Sequence, residues 1–222
     1  MNGLWLIVTK DLRAELRRPE SLISMIFFGF LLLVVLNLAI PLGTEVAPET
    51  GAGILWVAIT FAFVLGLART MSREKENRCL EGLLLSPLAA ESLFGAKMVV
   101  NLVLLLVAEL SIIPLFFILY GDIPLHSLPM LIVVVLMANT GLAATGTLFS
   151  AITAGTSRNE ALLPLLFYPV VIPLVSITVK VTGMIFLGAA VAEYESWLYV
   201  MAAYGLIFTG LGVLLFGQII TE

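Results

Sequence analysis

Six apolar runs, each close to the roughly 20 residues that a helix needs to cross a bilayer, constrain this chain more than any other feature. They are Ser21 to Leu42, Gly53 to Arg69, Leu93 to Leu119, Leu128 to Ile152, Ala161 to Val181 and Trp197 to Gln218. In lipid every backbone N–H and C=O must be paired within the protein, so runs of this length predict an all-α integral membrane protein with six transmembrane helices. The composition agrees: 61% of the 222 residues are hydrophobic and 12% are charged, against about 45–50% and 25% in soluble domains. The connections are too short for a soluble domain, so the expectation is a single permease domain over 1–222. The first run is long, lacks a small-x-small cleavage site and is followed by five more, so it reads as a retained span rather than a secretory signal.

Charge sets the expected orientation. Ten of the eleven basic residues precede the first run, lie in or around the second connection, or fall in the fourth: Lys10, Arg13, Arg17, Arg18, Arg69, Arg73, Lys75, Arg78, Lys97 and Arg158. Lys180 is the exception. Short cytoplasmic loops carry the excess of Lys and Arg, which predicts cytoplasmic termini and places the connections holding Glu45 and Asp122 outside. A net charge of -4 with so few basic residues argues against a nucleic-acid partner, and the single Cys79 excludes an internal disulfide.

Before the first run, Trp5, Val8, Leu12 and Leu16 recur at helical spacing, with Lys10, Arg13 and Arg17 on another face. This pattern predicts a basic amphipathic helix over 1–20, lying in the lipid interface and ended by Pro19; a plain extension of the first span is the alternative. The fifth run contains Pro164, Pro169 and Pro173. Each ring removes a backbone donor, so a neighbouring helix must meet the freed carbonyls. The stretch 183–196 reads either as a short helix dipping into the outer face or as an ordinary loop.

The densest charge falls in "TMSREKENRCLEGLLLSPLAAESLFGAK", Thr70 to Lys97. Ser72 reads as the cap of a short helix carrying Glu74 and Glu76 in its first turn, and Ser86 with Pro87 as the start of the next. Along the first helix Leu80, Leu83 and Leu84 form an apolar stripe flanked by Arg73, Glu76, Asn77 and Glu81. Such a two-faced helix within 71–92 suits a groove on a cytoplasmic partner, and equally a headgroup surface. No G-x-x-x-x-G-K-[ST] phosphate loop occurs, so the chain is read as no enzyme, and any ATP would be hydrolysed by a separate subunit.

Within the spans Glu109 stands out, mid-way along the third run. A charged carboxylate there costs about 2.5–3.5 kcal/mol on insertion scales. It should therefore face protein or water, either as a functional group in coupling or substrate passage or as a neutral carboxyl hydrogen-bonded across a helix interface. The sole histidine, His126, and the sole cysteine, Cys79, fall on opposite sides in the expected topology, so they cannot converge on one metal centre within a protomer.

"GILWVA" from Gly53, "LEGLLLSPL" from Leu80, "TGLAATGTLFSAIT" from Thr140 and "LLPLLFYPVVIPL" from Leu162, in that order and spacing, resemble the haem exporter protein B family, CcmB. The resemblance covers most of the chain and thins after Gly183. It implies an ABC-2 exporter-type permease of bacterial cytochrome c maturation in the cytoplasmic (inner) membrane. It also implies pairing with a second copy and with two copies of an ATP-binding subunit, CcmA, and work beside a haem-handling membrane partner, CcmC, and a periplasmic haem chaperone, CcmE. Haem would be a substrate rather than a cofactor, either exported or released on its chaperone at the expense of ATP. The helix in 71–92 would be the coupling helix seated in the ATPase. Alternatives from the residues alone are an ABC-2 exporter of lipid, glycan or drug and a non-transporting membrane scaffold for haem-delivery proteins.

Overall fold

The computed structural model describes residues 3–41, 44–76, 90–121, 127–154 and 159–221, and these are helical almost throughout. In chain order the helices are α1 (Gly3–Arg17), α2 (Glu20–Leu38), α3 (Pro48–Glu76), α4 (Ala90–Tyr120), α5 (Leu128–Ala154), α6 (Asn159–Phe186) and α7 (Val191–Thr221). All but α1 are long and apolar enough to cross a membrane. The six expected spans are therefore present, each beginning at or before its expected start.

Chain breaks have local causes. Pro19 separates α1 from α2 and offers no side-chain cap. Glu15 of α1 supplies one instead: its carboxylate accepts from the backbone N–H of Leu22 at 3.1 Å, placing negative charge at the positive end of α2. Helix α6 ends in a paired turn in which Ala189 N–H donates to Met184 C=O and Gly188 N–H to Ile185 C=O. Gly188 sits there at φ +73, in the left-handed region that glycine enters without a Cβ penalty. Two residues on, the Glu193 carboxylate accepts from the Ala190 N–H at 2.9 Å and caps α7. These devices confine the turn to four residues. The stretch 183–196 is thus neither a separate dipping helix nor a loop; the ends of α6 and α7 occupy it.

A second expectation is also corrected. Ser72 does not start a helix, because α3 runs through it without interruption to Glu76. A helix of this length spans about 43 Å, well beyond the roughly 30 Å hydrocarbon layer, so its polar final turns project past the lipid as a continuation of the span.

Helix α3 occupies the centre, with 67% of its most apolar window buried, whereas α7 lies at the margin with 17%. Close approach depends on small residues. A Cβ on Gly212 of α7 would fall inside the Phe94 ring of α4, one on Gly146 of α5 would strike Phe63 and Leu67 of α3, and one on Gly29 of α2 would strike Ile112 of α4. Trp56, fully buried on α3, donates its indole N–H to Thr182 of α6 at 2.9 Å. On the proline-rich helix a neighbouring side chain bonds the carbonyl next to a freed one rather than the freed carbonyl itself. Pro173 leaves the Pro169 carbonyl without its intrahelical donor, and at the adjacent Val170 carbonyl the Tyr204 hydroxyl of α7 donates at 3.1 Å. That hydroxyl also accepts from Thr145 of α5 at 3.2 Å, tying three helices together. Lys180, the basic residue out of pattern, rests over the Trp197 ring, 4.1 Å from its centroid.

Candidate functional site

Along the α4–α5 contact the bundle departs from apolar packing. Helix α4 carries Lys97, Asn101 and Glu109, all buried although each bears a strongly hydrated group. One polar residue every turn or two on the same side of a helix makes a stripe, and α4 turns this stripe inward.

Each member meets a partner. At the end where α1 packs, Lys97 Nζ lies 2.8 Å from Asp11 Oδ2; the ion pair holds α1 against α4, with Ile7 and Val8 buried beside it. One turn deeper, Asn101 donates to the Thr147 hydroxyl of α5 at 2.8 Å. Two turns beyond that, Asn139 of α5 donates to Glu109 Oε2 at 2.5 Å. The register explains the pairing: Glu109 lies eleven residues before the end of α4 at Tyr120, and Asn139 eleven after the start of α5 at Leu128. Antiparallel helices joined at that end bring equal offsets to the same depth. Asn101 and Thr147 obey the same rule at nineteen residues.

The seam thus runs from α1 to mid-membrane through polar contacts, with Phe63 and Leu67 of α3 packed at Gly146 of α5 and Phe216 of α7 on Phe94 of α4. Among the described residues no three His, Cys, Asp or Glu side chains gather as metal ligands.

The family model described as CcmB protein matches residues 2–217, nearly the entire chain. The chain belongs to the CcmB family. Relatives agree: it is 27% identical over 172 residues to Heme exporter protein B of Pseudomonas aeruginosa, covering 78% of this chain and 77% of that protein. It is 28% identical, again over 172 residues, to Heme exporter protein B of Rhodobacter capsulatus, covering 75% and 76% respectively. Six membrane-spanning helices and this family membership make the chain a multi-pass membrane permease subunit, a transporter component.

Of the expected site residues, the structure places Glu109 as foreseen, mid-span and facing protein. Arg73 and Glu76 lie in the last turns of α3, on the segment leading into the second connection. Asn77, Leu80, Glu81, Leu83 and Leu84 fall outside the described residues, as do Ser86, Pro87, Cys79, His126 and Arg158. Asp11, Asn101, Asn139 and Thr147 were not foreseen as site residues. Asn101 and Asn139 carried a signal of the same kind as Glu109, an amide in an apolar run, but nothing in their own runs shows which helix receives them.

Proposed function

We propose that the chain is the membrane permease subunit of a haem-export assembly serving cytochrome c maturation, in the bacterial inner membrane with both termini cytoplasmic. The observation that carries this reading is the CcmB family match over residues 2–217, joined by two relatives named Heme exporter protein B. Haem is cargo on this reading. ATP is bound and hydrolysed by a CcmA-like subunit on the cytoplasmic side, two permease copies stand side by side, and CcmC-like and CcmE-like proteins handle haem beyond them.

The orientation is supported by the ten basic residues that the sequence places before the first span, in or around the second connection and in the fourth. On the same side, Trp5 and Leu16 of α1 are exposed apolar residues next to exposed Lys10, Arg13 and Arg17, the arrangement of a helix resting among lipid headgroups. The second connection follows the projecting end of α3, so a partner seated there would push directly on α3 and α4.

Two experiments test the proposal. In a bacterium lacking its own CcmB, expression of this chain restores covalent haem attachment to c-type cytochromes, read by haem staining; full membrane insertion without restored staining would refute the function. For coupling, Leu83→Asp would bury an unpaired charge in the ATPase groove at a cost of several kcal/mol, more than the 1.4 kcal/mol or so that changes an equilibrium tenfold. ATPase recovery in a pulldown then falls at least tenfold at matched expression. Equal recovery from wild type and variant would mean that this stretch does not dock.

A further inference from the structure

Glu109 and Asn139 are 2% and 0% exposed, and the hydrogen bond between them uses one atom of each side chain. The other two, Glu109 Oε1 and Asn139 Oδ1, are buried without a partner. Both are acceptors as the groups are ordinarily written. Two orphaned acceptors on side chains that already face each other point to something that donates to one or to both.

Charge accounting narrows the choice. Helix α5, which supplies Asn139, has no charged residue in its entire length. The charged groups of the other helices packed on α4 lie toward their ends: Glu20 on α2, Glu49 and the segment from Arg69 on α3, Glu193 and Glu195 on α7. Helix α1 meets α4 at the Lys97 level with Asp11 and Glu15. Lys97 itself is about three turns from Glu109 and paired with Asp11. Among the described residues, a carboxylate anion at Glu109 would thus stand in the membrane core with one hydrogen bond and no counter-charge, an expensive arrangement. One hydrogen resolves both deficits. A proton taken up from bulk water onto Oε1 removes the charge and supplies the O–H that Asn139 Oδ1 lacks.

We propose that Glu109 and Asn139 form a proton-binding site: the neutral acid donates from Oε1 to Asn139 Oδ1 and accepts from Asn139 Nδ2 at Oε2, and this closed two-bond ring clasps α4 to α5 at mid-membrane. The site takes a proton whatever the permease carries, so it does not rest on the haem reading. Glutamine can build the same ring, its N–H replacing the acid O–H. Glu109→Gln therefore keeps the clasp, and Glu109→Leu loses it. An ionised Glu109 predicts that Gln is more stable than wild type, because the amide makes both bonds and removes a buried charge; a sodium or potassium ion held between Oε1 and Oδ1 predicts a wild-type stability that rises with that salt and a Gln variant that does not respond to it.

The test is infrared spectroscopy of the full chain in lipid nanodiscs at neutral pH. A protonated-carboxyl C=O band is expected in wild type, absent from Glu109→Gln and moved to higher frequency in Asn139→Leu, where the accepting oxygen loses its donor. Thermal unfolding of the same samples should rank Glu109→Gln level with wild type and Glu109→Leu below both, a readout that stands even if Asn139→Leu does not fold; Glu109→Gln unfolding well above wild type would mean that the wild-type carboxyl is ionised and would overturn the proposal. Identical wild-type and Glu109→Gln spectra in the carboxylic-acid region, a band bleached by sodium or potassium chloride, or a band unmoved in Asn139→Leu would each overturn the proposal.

Discussion

Lys97 and Glu109 occupy one helix and are buried to a similar degree, yet they are accommodated by different chemistry. Lys97 lies where α1 crosses α4, and its charge is answered by a charge: Asp11 at 2.8 Å, the two side chains retaining 10% and 15% exposure. Three turns deeper, Glu109 is answered by the neutral amide of Asn139, and among the described residues the basic side chains of the packed helices lie toward the ends of the bundle. The difference teaches that depth sets the form of compensation. Near the end of the bundle, residual contact with water or headgroups lowers the cost of desolvating two ions, so a pair survives. At mid-membrane only hydrogen bonding without net charge is economical.

The largest expected effect tests the charged end. Lys97→Met leaves the half-buried Asp11 with only the exposed Lys10, 3.2 Å away, as counter-charge; removing one partner of a buried ion pair costs about 3–5 kcal/mol, and the second cation and the residual exposure place this one at the lower end. Thermal unfolding in detergent should show it, and adding Asp11→Leu should recover most of the loss. A double variant no better than the single one would break the comparison, since the pair would then not be the cause.

Next comes the neutral end. Asn139→Leu strips Glu109 of its donor, and leaving one buried polar group unmatched costs about 1–3 kcal/mol. The expected order, Lys97→Met worse than Asn139→Leu, reverses if Glu109 is charged in the folded protein. Smaller still is Thr147→Val, which removes the acceptor of Asn101 between the two ends. Hydrogen bonds between membrane helices average about 0.6 kcal/mol, with about 1.7 the largest measured, so its unfolding temperature should fall by less than that of Asn139→Leu. A larger drop would mean that the seam acts as one network rather than as three separate contacts.

Much of the scaffold was legible in the chain. The six spans, a helix ahead of the first and the break at Pro19 each rest on a local cost that a residue meets wherever the chain folds, although the expected apolar face of α1 is divided, with Val8 buried and Trp5 and Leu16 exposed. Local signals failed where a long-range one overrode them. Ser72 has cap chemistry, but the helix that began at Pro48 continues through it, since helix propagation costs less than a fresh nucleus. The stretch 183–196 reads from its residues as a dipping helix or a loop, whereas Gly188 and Glu193 end one span and start the next within four residues.

By itself, then, the sequence determined how many times the chain crosses the membrane and that Glu109 must face inward, because lipid penalises each exposed polar group segment by segment. The tertiary structure decided who meets whom. Asn139 is thirty residues from Glu109 and Asp11 eighty-six from Lys97, and their meeting depends on the rotation and register of whole helices. Those are set by many small contacts, such as Phe94 on Gly212 and Ile112 on Gly29, whose sum no single residue encodes.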